Sequence, residues 1–275
     1  MARQGASPAD FVGSIPEAYD SYLGPLLFNF AAMDLARRVG EFTLGGSSIL
    51  EIACGTGILT EQIRHSTDPT VSIVATDLNQ AMLDYARCKR AALENTRFEI
   101  ADAQSLPFDD ASFDVVAVQF GIMFFPDKSG AISEFARVLK SGGVLVYNVW
   151  DSFEKNPIAE IAHQIIQSFF ESDPPDFLEV PFGYSNIDTN LALIRDAGLK
   201  IKEFDTVSAT IEQRSAGDVA KGFVEGNPGI LQIRERATVE PQKIIEALAL
   251  AIEKMSGPPP LNIPLQEIVF VATKV

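Results

Sequence analysis

Short apolar runs alternate with amphipathic stretches over residues 47–150 of the chain. The runs have the length of strands, and the stretches between them carry apolar residues at helical spacing. This alternation predicts a parallel sheet whose strands are joined by right-handed crossovers. The predicted strands are residues 49–53, 71–76, 97–100, 113–118 and 144–150. The predicted helices are residues 58–65, a stretch from the cap Asn79 to Leu93, and a stretch that Asp127 caps and Gly142-Gly143 ends.

The first forty residues are predicted to form two helices. Ser14 can cap the first helix, Pro16 suits its first turn, and Pro25 should break or kink it. Residues 26–39 repeat apolar positions at helical spacing, and Gly40 stands where a glycine commonly ends a helix.

The pattern loosens after residue 150. We interpret residues 151–200 and 212–262 as insertions that form a lid, because ligands bind outside the carboxyl ends of the strands and these segments leave from there. Ordinary packing helices are the alternative. The predicted elements are helices over 157–171, 188–197, 216–225 and 240–255, and strands over 201–211 and 268–272. The fold class is therefore α/β, a doubly wound, mostly parallel sheet of seven strands with helical lid insertions.

Composition and charge restrict the kinds of partner. Hydrophobic residues make up 47% of the 275 residues, enough for a sizeable core. The formal net charge of −15 would repel a phosphate backbone, so we expect no nucleic acid and no anionic membrane as partner. No apolar run is long enough to span a bilayer, and residues 1–10 lack the apolar region of a secretory signal. We therefore expect a cytoplasmic protein without membrane insertion, and a homodimer is one option left open.

Cysteine and histidine spacing does not indicate a metal. Cys54 and Cys88 do not form a metal-binding pair, and reduced thiols are the ordinary interpretation. His65 and His163 are far apart and fit no zinc pattern. We expect no metal site.

A glycine-rich turn between a strand and a helix is the strongest chemical signal. Residues 51–57 read Glu-Ile-Ala-Cys-Gly-Thr-Gly, and glycines let the backbone approach a ligand closely. Asp77 ends the next strand about twenty residues later, where a nucleotide-binding α/β domain places the acid that accepts hydrogen bonds from ribose. The turn, its strand, its helix and the acid together predict a nucleoside-type cofactor.

These motifs resemble those of class I methyltransferases that depend on S-adenosylmethionine (SAM), in the small-molecule branch related to quinone-biosynthesis enzymes. The resemblance covers about residues 15–150 well, and Val138 to Gly143 is similar to the family's turn into strand five. It implies a Rossmann-like fold, SAM as cofactor with S-adenosylhomocysteine as product, and a small-molecule acceptor. It also implies three parts: residues 1–45 closing over the cofactor, 46–150 as the SAM-binding core, and 151–275 as the remaining sheet with the lid.

The resemblance assigns the cofactor contacts residue by residue. Glu51 to Gly57 would surround the methionine part, Asp77 the ribose, and Leu78 and Met82 the adenine. The Asp102 side chain would meet the adenine amino group. The implied cofactor-binding residues are Tyr22, Glu51, Ala53, Gly55, Gly57, Asp77, Leu78, Met82, Asp102, Ala103, Gln119 and Phe120.

Two departures and one alternative cofactor bear on this assignment. Ala53 stands where the family usually has its first glycine, and Ser141 replaces the usual proline. A dinucleotide turn would end in a third small residue, but Thr60 follows here. Acidic strand ends also suit a positively charged sulfonium better than a pyrophosphate. A nucleotide-dependent oxidoreductase is therefore the less favoured function.

Methyl transfer from a sulfonium needs alignment and exclusion of water more than a nucleophilic side chain. Tyr22, His163 and Tyr184 are candidate bases, and the sequence selects none of them, so the catalytic residues are not assigned. Phenylalanines in the predicted acceptor regions favour an apolar or aromatic acceptor, although core packing explains them as well. They are Phe124, Phe125, Phe169, Phe170, Phe177, Phe182 and Phe223. A SAM-binding protein without catalysis is the main alternative function.

Overall fold

A computed structural model describes residues 10–236 and 238–275. Residues 1–9 lie outside the described residues, and the expectation that residues 1–10 carry no secretory signal falls mainly on them. Internal contacts divide the chain into two units. We call the first the helical unit (residues 10–28, 151–184 and 208–266) and the second the sheet unit (residues 29–150, 185–207 and 267–275).

Seven strands form one sheet in the order β3-β2-β1-β4-β5-β7-β6. Neighbouring strands from β3 to β5 are parallel, and β5 pairs with β7 antiparallel. The prediction of a doubly wound, mostly parallel seven-stranded sheet is confirmed. The strands are β1 (Ser48–Ile52), β2 (Ser72–Asp77), β3 (Thr96–Ile100), β4 (Phe113–Gln119), β5 (Leu139–Trp150), β6 (Leu199–Gln213) and β7 (Leu261–Lys274).

Helices connect and cover the strands. Two caps are confirmed: the Asn79 side chain accepts a hydrogen bond from the Ala81 amide, and that of Asp127 accepts one from the Gly130 amide. No helix in the described part of the chain is long and apolar enough to cross a membrane. The helices are α1 (Ile15–Ala18), α2 (Asn29–Glu41), α3 (Ile58–Ser66), α4 (Gln80–Lys89), α5 (Lys128–Val138), α6 (Pro157–Ser168), α7 (Glu179–Phe182), α8 (Ile187–Asp196), α9 (Ala216–Glu225), α10 (Gly229–Arg236) and α11 (Pro241–Ser256).

The strand order reverses between β1 and β4, and this reversal positions the candidate site. The chain passes from β1 to β2 and then to β3 on one side of β1. It then returns to form β4 on the other side of β1. The apolar residues of β1 and β4 are almost fully buried, as expected for central parallel strands covered on both faces. A crevice for ligands forms at such a reversal, outside the carboxyl ends of the strands.

Helices dominate the helical unit. A π-helix over Tyr19–Phe28 packs against α9, where Gly222 leaves the room that Leu23 fills. A Cβ atom on Gly222 would lie only 2.8 Å from Leu23 Cδ2. α11 packs against both α9 and α6. Whether these helices cover a bound acceptor stays a prediction, as does the three-part division of the chain.

Three local expectations are wrong. Pro25 lies inside the π-helix and does not break the helical segment. Gly40 lies within α2, which continues to Glu41. Gly142 and Gly143 do not end a helix: α5 stops at Val138, and both glycines belong to β5, where the pairing with β4 shifts register.

Candidate functional site

The loop after β1 runs through left-handed backbone. Gly55 has φ +55° and Gly57 has φ +81°, values that glycine adopts at little cost. Ala53 has φ +53°, which costs a residue with a Cβ atom about 1–2 kcal/mol. The preference for glycine at this position therefore has a conformational cause, and this chain carries alanine there under strain.

Asp77, at the end of β2, ties this loop to the next one. Its Oδ2 atom accepts a hydrogen bond from the Gly55 amide at 2.8 Å, and its Oδ1 atom accepts one from the Asn79 amide at 2.8 Å. Burial raises the pKa of Asp77, and the backbone donors oppose that rise. The carboxylate is thus fixed in orientation against the loop after β1, the strand at which the sheet order reverses.

Glu51 is a second acid beside this loop, and it is 1% exposed. Burial raises its pKa to about 8, and the nearby polar groups of Thr60 and the positive charge of Arg90 offset part of this rise. The neighbouring charge of Asp77 raises the pKa of Glu51 further. Two acids therefore lie side by side in a setting that favours a cationic ligand group.

Arg90 supports the loop from the end of α4, a role that sequence analysis missed. Its Nε atom donates a hydrogen bond to the Gly57 carbonyl at 2.9 Å. A Cβ atom at position 57 would lie 2.8 Å from Arg90 Cδ, so the glycine is also required for space. An arginine at a helix end carries no local signal of this kind, because the contact joins residues 33 apart.

The surface beside Asp77 is apolar and open. Leu78 is 60% exposed, and Ile100, the register partner of Asp77 on β3, is 53% exposed, whereas Met82 is buried. Asp102 follows β3, and its Oδ1 atom accepts hydrogen bonds from the backbone and side-chain nitrogens of Gln104. An acid of fixed orientation next to exposed apolar side chains suits a nucleoside.

The end of β4 closes the opposite side of the crevice. Phe120 has φ +50°, and its ring stacks on Trp150 with centroids 3.9 Å apart. Gly121 lies against the loop after β1: a Cβ atom there would be 2.7 Å from the Ala53 Cβ atom. Within the described residues, the buried Gln119 Oε1 atom has no hydrogen-bond partner. The Thr56 Oγ1 atom, buried in the loop after β1, also has no hydrogen-bond partner among the described residues.

Every implied cofactor residue except Tyr22 belongs to the sheet unit, at or near the ends of β1, β2, β3 and β4 or at the start of α4. Tyr22 lies in the π-helix of the helical unit, where Lys221 Nζ is 4.9 Å from its ring centre. The individual cofactor contacts stay predictions.

Two of the candidate bases also belong to the helical unit. His163 Nε2 lies 3.4 Å from Glu179 Oε1, and burial raises the pKa of Tyr184 to about 12. Of the seven phenylalanines, Phe177, Phe182 and Phe223 are buried in the core. Phe177 and Phe223 line a narrow apolar crevice together with His163.

Comparison with known proteins identifies relatives. A model of the ubiE/COQ5 methyltransferase family matches residues 37–214. A demethylmenaquinone methyltransferase of Staphylococcus aureus (strain JH9) is 39% identical over 101 residues, which are 37% of this chain and 42% of that protein. The chain thus matches less than half of the length of this relative.

Solved structures share the fold at low identity. A candidate methyltransferase of Bacillus halodurans C-125 has a TM-score of 0.59 at 18% identity, covering 89% of this chain and 99% of that one. Phosphoethanolamine N-methyltransferase 2 of Haemonchus contortus, solved with SAM, has a TM-score of 0.58 at 18% identity, covering 98% and 60%. The [4+2]-cyclase SpnF has a TM-score of 0.57 at 20% identity, covering 89% and 82%. Because a cyclase is among them, this likeness concerns the fold alone.

Proposed function

The chain belongs to the ubiE/COQ5 methyltransferase family, and from this premise we propose that it transfers a methyl group from SAM to a small apolar or aromatic acceptor. The observation that carries the proposal is the clamp at the strand reversal, where Asp77 holds the Gly55 amide at 2.8 Å beside the exposed Leu78. This clamp supplies an acid for ribose and apolar surface for adenine in one place.

The residues present fit SAM. When bound, SAM supplies an electrophilic methyl group on a sulfonium. Asp77 would accept hydrogen bonds from the ribose hydroxyls, Leu78, Met82 and Ala103 would border the adenine, and Asp102 would accept from its amino group. The buried polar atoms of Thr56 and Gln119, which lack partners within the described residues, support a polar ligand in the crevice.

Charge favours a sulfonium over a pyrophosphate. The charge of Asp77 raises the pKa of the neighbouring Glu51, and a cationic ligand would act in the opposite direction by stabilising the ionised form of both acids. A pyrophosphate would add negative charge to the same site. The oxidoreductase alternative is therefore disfavoured by electrostatics as well as by the turn.

The protein's part in such a reaction is alignment and exclusion of water. The strained loop at Ala53, against which Gly121 and Arg90 pack, would hold the methionine part. A base is needed only if the acceptor must lose a proton, and we assign none.

A phenol or quinol ring is the acceptor class that we propose. The name of the Staphylococcus relative gives demethylmenaquinone as the acceptor of that protein. The crevice of the helical unit lined by Phe177, Phe223 and His163 is too narrow to hold a ring as it stands, so the relative's name is the support for this acceptor class. A cytoplasmic location and a homodimer remain predictions.

Calorimetric titration with SAM, S-adenosylhomocysteine and NAD tests the cofactor. We expect micromolar binding of the first two and none of NAD, followed by transfer of labelled methyl to hydrophobic phenols or quinols. Binding without transfer to any acceptor would favour the non-catalytic SAM-binding protein. Folded protein that binds neither SAM nor its product would overturn the proposal.

A further inference from the structure

A chain of buried polar groups joins three strands of the sheet unit. The Phe120 amide, just past β4, donates a hydrogen bond to Asn148 Oδ1 on β5 at 2.9 Å. Asn148 Nδ2 donates in turn to Glu267 Oε2 on β7. Asn148 and Glu267 are both 0% exposed.

An apolar core would be the simpler solution at these positions. Asn148 stands in the run Leu145–Trp150 of otherwise apolar or aromatic residues, and Glu267 directly precedes the buried segment Ile268–Ala272. Burying an amide and a carboxyl group costs free energy that apolar side chains of similar volume would not. Such a pair therefore calls for a role beyond filling space.

The role is visible at Phe120. A bulky residue at φ +50° is rare, and its backbone keeps this conformation only where its surroundings impose it. The hydrogen bond from the Phe120 amide to Asn148 is one such constraint, and the ring's stacking on Trp150 is another. Asn148 is also the register partner of Gln119, so it lies beside both the last residue of β4 and the first residue after it.

We propose that Asn148 and Glu267 are positioning residues that hold the turn Gln119–Phe120–Gly121 in the conformation that receives the cofactor. This inference rests on the proposed function. Neither residue needs to touch the cofactor: Glu267 fixes the amide plane of Asn148, and Asn148 fixes the backbone of the turn. Gly121 transmits the position of the turn to the Ala53 loop, against which it packs.

The charges around Glu267 indicate which variant preserves this arrangement. Asp34 and Arg38 of α2 face the carboxyl group, and Arg38 also pairs with Glu203 and Asp205 of β6. Burial is the main cause that raises the pKa of Glu267 to about 8. The carboxyl group is therefore largely neutral at pH 7, and glutamine matches its shape and keeps an oxygen for Asn148.

Four variants at pH 7 test the proposal by calorimetric Kd for SAM together with thermal unfolding. Glu267→Gln should bind SAM within about twofold of the unmodified chain, whereas Glu267→Leu, which leaves the Asn148 donor unpaired, should bind at least tenfold more weakly. If Glu267→Leu does not fold, Asn148→Ser takes its place: it replaces the side-chain amide by a shorter hydroxyl and should also weaken SAM binding at least tenfold.

Tyr147→Phe is the matched control. It removes a buried hydrogen bond from the next residue of β5, that of the Tyr147 hydroxyl to Asn190 Oδ1 at 3.1 Å. It should lower the unfolding temperature without changing the Kd. Equal losses of affinity in Tyr147→Phe and Glu267→Leu, or an unchanged Kd in folded Glu267→Leu or Asn148→Ser, would overturn the inference alone. An unmodified chain that does not bind SAM would overturn the proposed function and this inference with it.

Discussion

Asp77→Asn removes the negative charge at the centre of the candidate site but keeps one oxygen for the loop amides. In the unmodified chain, the two carboxylate oxygens hold the Gly55 and Asn79 amides, each at 2.8 Å. A hydrogen bond to a charged group contributes about 1.5–3 kcal/mol. Losing one such bond to a ribose hydroxyl should weaken SAM binding about 10- to 150-fold, at about 1.4 kcal/mol per tenfold.

Asp114→Asn provides the matched control for this experiment. Asp114 lies at the start of β4, at the opposite end of the strands from Asp77, and also accepts from a backbone amide, that of Ser48 at 2.8 Å. It pairs with Lys140 Nζ at 2.8 Å, so its substitution should reduce stability and leave the affinity for SAM unchanged. Calorimetry on both variants, with thermal unfolding to verify folding, decides the matter. Unchanged affinity in folded Asp77→Asn, or an equal loss in both, would refute the placement of the ribose.

Three further substitutions probe the surroundings of the loop. Arg90→Met keeps the aliphatic stem but removes the donor to Gly57, so the Kd for SAM should rise about fivefold or more, measured by calorimetry. Gly121→Ala places a methyl group 2.7 Å from Ala53 Cβ, and the overpacking of about 1–3 kcal/mol should lower the unfolding temperature by several degrees; an unchanged melting curve would contradict the contact. Glu51 has a pKa of about 8 in the folded chain against 4.5 for an ordinary glutamate. Its contribution to the free energy of unfolding is therefore fully present below pH 4.5 and is lost as the pH rises towards 8. Glu51→Gln should therefore flatten the fall in unfolding temperature between about pH 5 and pH 8, and an equally steep fall in the variant would show that Glu51 is not its source.

The parts of the fold that follow from local sequence were predictable. β1, β2 and β4 and the caps Asn79 and Asp127 depend on runs of apolar residues and on side chains near a helix start. The position of Asp77 was predictable for the same reason, because the chain order of strand, glycine turn, helix and strand places the acid beside the turn, whereas its hydrogen bond from the Gly55 amide was not predicted.

The predictions of local structure were wrong where tertiary contacts outweigh local sequence preferences. Pro25 removes a helical donor, but burial of Leu23, Leu26 and Leu27 keeps the segment helical, and the wider π-helix accommodates the proline ring. Gly142 resembles a helix end, yet pairing of Leu139 with Phe113 extends β5 back to the end of α5. The link between Asn148 and Glu267 joins residues 119 apart, a distance over which no local pattern operates.

The position of β7 between β5 and β6 has a consequence for synthesis of the chain. β5 is translated well before β7, its partner on one side, so its hydrogen-bonding edge is open in the interval. At about 5–20 residues per second, the roughly 110 residues from Trp150 to Leu261 take about 6–22 s to emerge. An open edge of valine, leucine and tryptophan is a template for pairing with other nascent chains. Slow translation, or a change that delays the arrival of β7, should therefore increase the dependence of this chain on chaperones without altering its finished structure.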